Sequence, residues 1–146
     1  MAGSSEETIA LGRQLGERLR PPMVVLLYGE LGAGKTTLAK GILGGLGVAR
    51  EDEVTSPTFT LVHVFRHPRS GLRVYHADLY RVNDFHDLES LGLEDAFDEP
   101  SILLVEWAEK LTLRTDWPVV EIRMMHQEDE TRRIEVRELR AAVSKP

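Results

Sequence analysis

The sequence predicts an α/β fold: a single domain over residues 1–146 with a central, mostly parallel sheet flanked by helices and an antiparallel strand pair. Three observations carry that expectation. Two short runs, Met23–Tyr28 and Ile102–Val105, are apolar without alternation, as strands covered on both faces are. Segments of helical periodicity are interleaved with the strands. A glycine-rich turn, Gly29–Gly34, leads out of the first apolar run into one of those helical segments.

Taken in order, the first helix is expected to start near Ser4, which stands three residues before Glu7 at capping-box spacing. Leu11, Leu15 and Leu19 share one of its faces, and Pro21-Pro22 ends it. Met23–Tyr28 follows as a buried strand. Lys35 to about Leu46 reads as a helix with Leu38, Ile42 and Leu46 at four-residue spacing, stopped by Gly47. A polar segment runs from Val48 to Thr58. Phe59–Phe65 and Leu72–His76 read as two strands joined by a turn at residues 68–71. Asp84–Phe97 is expected to be helical and to stop before Pro100. Ile102–Val105 is a second buried strand that leads into Glu106-Trp107. A helical turn near Ala108–Leu113 is expected next, then strands around Val119–Met125 and Arg133–Val136, separated by residues 127–130.

Composition narrows the chemistry. With no cysteine, disulfides, Cys-zinc sites and thiol nucleophiles are excluded. No apolar run approaches the roughly 18 residues of a membrane span, and the acidic N-terminus lacks the features of a secretory signal. A cytoplasmic protein without a membrane partner is the expectation. The net charge is -6, and Asp84–Glu99 holds seven carboxylates and no Lys or Arg. Such a surface repels a phosphate-rich duplex, so no stable nucleic-acid binding by the chain alone is expected. The acidic stretch reads either as a solvated face or as a docking surface for a basic partner.

Gly29-Glu30-Leu31-Gly32-Ala33-Gly34-Lys35-Thr36 matches the G-x(4)-G-K-[ST] phosphate-loop pattern in full, between a buried strand and an amphipathic helix. The glycines let successive N–H groups converge on an anion, and the helix N-terminus adds positive potential on the same side. Lys35 would reach the β- and γ-phosphates, the Thr36 hydroxyl would complete a Mg²⁺ shell, and Thr37 is placed for the α-phosphate. The domain is therefore expected to be phosphate-loop NTPase-like.

Such a site needs a carboxylate, and Asp78 and Glu106 both close predicted strands, where side chains reach the ligand crevice of an open α/β sheet. Either suits the metal, with the other orienting water; for Asp78 a helix-capping role is the alternative. Ser56-Pro57-Thr58-Phe59 reads as an ordinary turn or as a γ-phosphate-sensing segment whose hydroxyls, Thr58 among them, contact the nucleotide. His76 shares a strand face with Asp78. His63 and His67 lack the companions of a zinc site.

In order, the Gly29–Thr37 loop, Ser56–Phe59, His76-Ala77-Asp78-Leu79-Tyr80-Arg81, Glu89-Ser90-Leu91-Gly92 and Val105-Glu106-Trp107 resemble the bacterial TsaE family, formerly called YjeE, from about Leu11 to Ile122. The resemblance implies a small ATPase in the synthesis of threonylcarbamoyladenosine on tRNA. It would act with the proteins TsaB and TsaD and meet tRNA only through them. Its cofactors would be ATP and Mg²⁺. Lys35, Asp78 and Glu106 become the catalytic residues and Thr36, Asp78 and Glu106 the metal site. Residues 30–37, Thr58 and Trp107 line the nucleotide; for Trp107, packing at the end of the sheet is an equal reading. The absence of the guanine-reading Asn-Lys-x-Asp pattern favours ATP. No arginine finger is evident, so hydrolysis alone is expected to be weak and stimulated by a partner. Two alternatives stay open: a small-molecule phosphate-loop kinase, and a nucleotide-sensing adaptor whose hydrolysis is incidental.

Overall fold

The computed structural model describes residues 5–29, 34–49, 62–79, 93–108, 116–126 and 132–139. Two helices, α1 (Ser5–Arg18) and α2 (Lys35–Leu46), accompany six strands: β1 (Met23–Gly29), β2 (Val62–Arg66), β3 (Arg73–Asp78), β4 (Ser101–Glu106), β5 (Val119–His126) and β6 (Arg132–Leu139). They form one sheet in the order β2-β3-β4-β1-β5-β6. The four inner strands β3, β4, β1 and β5 run parallel. The expected antiparallel pair is β2 with β3, and a second, β5 with β6, closes the other edge. Only residues 127–131 separate β5 from β6, too few for the crossover that a parallel neighbour requires.

The buried runs behave as their composition demands. All six residues of β4 are buried, because the strand lies between β3 and β1 and both its faces are covered. On one face, Val25 and Leu27 of β1, Ile102 and Leu104 of β4, and Ile122 and Met124 of β5 pack with Leu38, Ala39, Ile42 and Leu43 of α2. On the other, Val24, Tyr75, Ala77, Leu103 and Val105 pack with Leu79, Ala96 and Ala108. Alternation along each strand thus supplies two cores from one sheet.

Where the Asp84–Phe97 segment is described it is helical as expected: Leu93–Asp98 forms a 3-10 helix that stops before Pro100, and Ser101 Oγ donates to the Ala96 carbonyl at 2.7 Å and ties it to the first residue of β4. One expectation needs correction. In α1, Leu11 and Leu15 are only half-buried, and the buried line is Thr8, Gly12, Gly16 and Leu19. A Cβ on Gly12 would lie 2.5 Å from the Leu38 carbonyl oxygen, and one on Gly16 would lie 2.3 Å from that of Ile42. The helices touch through their backbones, so leucine there has no room. Residues 50–61, 80–92 and 109–115 lie outside the described residues. With them go the polar segment from residue 50 onward, the start of the Phe59–Phe65 strand and the turn after Ala108.

Helix α2 begins and ends where the sequence places it. Gly47 closes it at φ +76°, with its own N–H on the Gly44 carbonyl (3.0 Å) and the Val48 N–H on that of Leu43 (3.3 Å), the Schellman pattern. An L side chain costs about 1–2 kcal/mol in that conformation, and a Cβ would also press on the His67 ring at 3.2 Å. Gly47→Ala is therefore expected to lower the melting temperature by roughly 5 °C, read by circular dichroism.

Candidate functional site

The carboxyl ends of β1, β3 and β4 meet the N-terminus of α2, and there the polar side chains gather. Gly34 enters α2 in a left-handed conformation (φ 99°, ψ 21°), and among the described residues no side chain caps the helix and its first turn carries no acidic residue. A helix N-terminus of this kind presents N–H groups and the positive dipole end to an anion. Lys35 is buried; its ammonium donates to the Gly29 carbonyl at the end of β1 and sits 3.8 Å from the centre of the Trp107 ring. Thr37 follows, half-buried, one residue after Thr36.

Glu106 is the centre of the arrangement. Its carboxylate is 2% exposed; Oε1 accepts a hydrogen bond from Thr36 Oγ1 at 2.9 Å, and Oε2 lies 2.6 Å from Nε2 of the fully buried His76. The Glu106 carbonyl accepts the Leu79 N–H at 3.1 Å. Asp78 is half-buried, stands opposite Glu106 in the β3–β4 register, and shares the face of His76 and of α2. Trp107, next in the chain, has φ +61°, a conformation costing of order 1–3 kcal/mol in a bulky residue. The turn it makes lays its ring against Lys35, while the ring also packs on the core beneath. The packing that the sequence suggests for Trp107 is what the structure shows.

His63 of β2 faces His76 in the register, with the ring centres 6.5 Å apart. Partial burial, and secondarily the neighbouring His76 ring, hold its pKa below the usual 6.5. His67 is structural: its Nδ1 accepts the Arg69 and Ser70 amides in the hairpin turn.

The structure thus brings Lys35, Thr36, Asp78, Glu106 and Trp107 to one end of the sheet. Glu30, Leu31, Gly32, Ala33 and Thr58, with the whole Ser56–Phe59 segment, lie outside the described residues. The link from His76 to Glu106 escaped the sequence reading, which paired His76 with Asp78. Strand alternation gives the shared face, but the partner depends on β3 lying beside β4. Among the described residues no three His, Asp or Glu side chains gather as a metal cage. The Thr36 hydroxyl and Glu106 carboxylate are hard oxygen donors, a pair that suits Mg²⁺ arriving with a nucleotide's own phosphates.

A family model, "Threonylcarbamoyl adenosine biosynthesis protein TsaE", matches residues 2–134. The chain belongs to the TsaE family. The TsaE protein of Haemophilus influenzae is 48% identical over 88 residues, 60% of this chain and 53% of that protein, so the match spans about half of the relative. The TsaE protein of Mycobacterium bovis is 40% identical over 125 residues, 82% of this chain and 73% of the relative. Among solved structures, the crystal structure of Bacillus subtilis YdiB superposes with a TM-score of 0.65 at 31% identity, covering 90% of this chain and 78% of that one. The TsaE architecture is therefore the frame on which this site is built.

Proposed function

We propose that this TsaE-family chain binds and hydrolyses Mg-ATP in the synthesis of threonylcarbamoyladenosine on tRNA, acting in the cytoplasm with TsaB and TsaD, which hold the tRNA. The observation that carries the reading is the Thr36–Glu106 hydrogen bond beside Lys35, at the N-terminus of α2. It joins a phosphate-binding turn to a strand-end carboxylate in the way a nucleotide with its metal requires. Family membership supports the pathway. Among the described residues no helix is long and apolar enough to cross a membrane.

In this reading Lys35 binds the β- and γ-phosphates. Thr36 and Glu106 hold Mg²⁺, which neutralises charge on the phosphate oxygens. Asp78, on the same face, orients the attacking water. Glu30, Leu31, Gly32, Ala33, Gly34 and Thr37 cradle the phosphates, with Thr58 and Trp107 beside the nucleotide. Phosphate release from ATP by the purified chain, with and without TsaB and TsaD, tests the reading. Slow release alone, stimulation by the pair, and loss of both in EDTA are expected. Demonstrated ATP binding with no stimulation would move weight to a nucleotide-sensing adaptor, and phosphate transferred to a metabolite would indicate a kinase.

A further inference from the structure

A carboxylate that meets a metal ion works only if its oxygens point the right way, and Glu106 sits on the last residue of a strand whose chain turns sharply at Trp107. One of its oxygens is held by Thr36, a group the metal itself would engage. The other is held by His76, which belongs to a different strand and is 0% exposed. Among the described residues its other ring nitrogen, Nδ1, has no hydrogen-bond partner. An ionised carboxylate only accepts, so it is Nε2 that carries a proton and donates it to Glu106 Oε2.

We infer that His76 is the positioning residue of this site: its Nε2–H holds the Glu106 carboxylate in the orientation that receives Mg²⁺ together with Thr36. The inference rests on the Mg-ATP reading above. His76 itself touches neither nucleotide nor metal. Full burial of the ring fixes its rotamer, and β3 lies beside β4 in fixed register, so the donor arrives on a rigid support rather than on a loop. Groups that orient a metal ligand from behind typically contribute 10- to 100-fold in metal affinity or activity.

Three variants separate positioning from packing. His76→Gln carries an amide donor out to the depth of Nε2; His76→Asn places one only at the depth of Nδ1, short of Glu106; His76→Leu fills the space without a donor. The Mg²⁺ concentration giving half-maximal ATP turnover is expected to rise roughly 10-fold or more in the Leu and Asn variants and to return most of the way in the Gln variant. Affinity for a fluorescent ATP analogue in EDTA is expected to stay unchanged in all three, because phosphate contacts come from α2 and its preceding turn. In the wild-type protein, two-bond ¹H–¹⁵N correlations should show His76 protonated on Nε2, a readout that needs no variant and no turnover. Melting curves identify any variant that fails to fold, and the Gln–Asn comparison with the tautomer stands if Leu does.

An Nδ1–H tautomer would overturn the inference, as would a Gln variant as impaired as a folded Leu variant, an unchanged Mg²⁺ requirement in Leu, or affinity lost equally in EDTA. Wild-type protein that hydrolyses ATP without Mg²⁺, or not at all, would instead overturn the Mg-ATP reading and the inference with it.

Discussion

Lys35→Ala is expected to lower ATP turnover by two to three orders of magnitude, the scale on which one preorganised charge or donor acts on a reacting group. The same change should move stability by no more than about 1 kcal/mol. The buried ammonium donates to the Gly29 carbonyl and rests on the Trp107 ring. A hydrogen bond to a charged group is worth about 1.5–3 kcal/mol net, and a desolvated cation–π contact about 2. Alanine forfeits both but also removes the cost of burying a cation, and the terms largely cancel. Phosphate-release assays beside melting curves read the split. Turnover within threefold of wild type would mean that Lys35 does not serve the phosphates. Lys35→Arg is no rescue, since a planar fork cannot occupy the place of a compact ammonium.

The largest loss of stability is expected at Gly41→Ala. Helix propensity alone predicts a gain, because alanine is favoured over glycine by about 1 kcal/mol inside a helix. The structure reverses the sign. A Cβ on Gly41 would lie 2.3 Å from the Ile9 carbonyl oxygen and 3.0 Å from both the Arg13 nitrogen and the Gly12 Cα. These are backbone atoms of α1, which cannot swing aside as a side chain can. The helices must separate, and Ile42 and Leu43 shift with α2. A loss of about 3 kcal/mol, or roughly 10 °C in melting temperature, is expected. Urea unfolding measures it directly. A variant as stable as wild type would show that the two backbones are not in contact.

These two residues also mark how far the sequence could be read. Lys35 was legible because a phosphate loop is local: eight consecutive positions between a buried run and an amphipathic segment determine where its lysine lies. The ends of α2 were legible for the same reason, with Gly47 supplying a local stop. Gly41 was not. Its meaning depends on Ile9, about thirty positions earlier in the chain, and a helical wheel that scores apolar side chains gives Leu11 and Leu15 the face that Gly12 and Gly16 occupy. The partner of His76 was hidden similarly. Alternation placed His76, Asp78 and Glu106 at strand ends, but only the neighbourhood of β3 and β4 decides which carboxylate the imidazole meets. Patterns within one element are visible in a sequence; choices between elements need the sheet order.

Glu106 divides its duties between main chain and side chain. The carbonyl that receives the Leu79 amide is carried by every amino acid, while only the carboxylate reaches both Thr36 and His76. Alleles at the two kinds of position should therefore differ in inheritance as well as in severity. Under the Mg-ATP reading, a Glu106→Gln allele is expected to yield folded protein that no longer turns over ATP and competes with intact copies for any partner. An allele that crowds the α1–α2 joint removes the protein instead, and an intact copy covers for it. The first is expected to be dominant and the second recessive in cells that carry both copies, a distinction set by which atoms of a residue the fold uses.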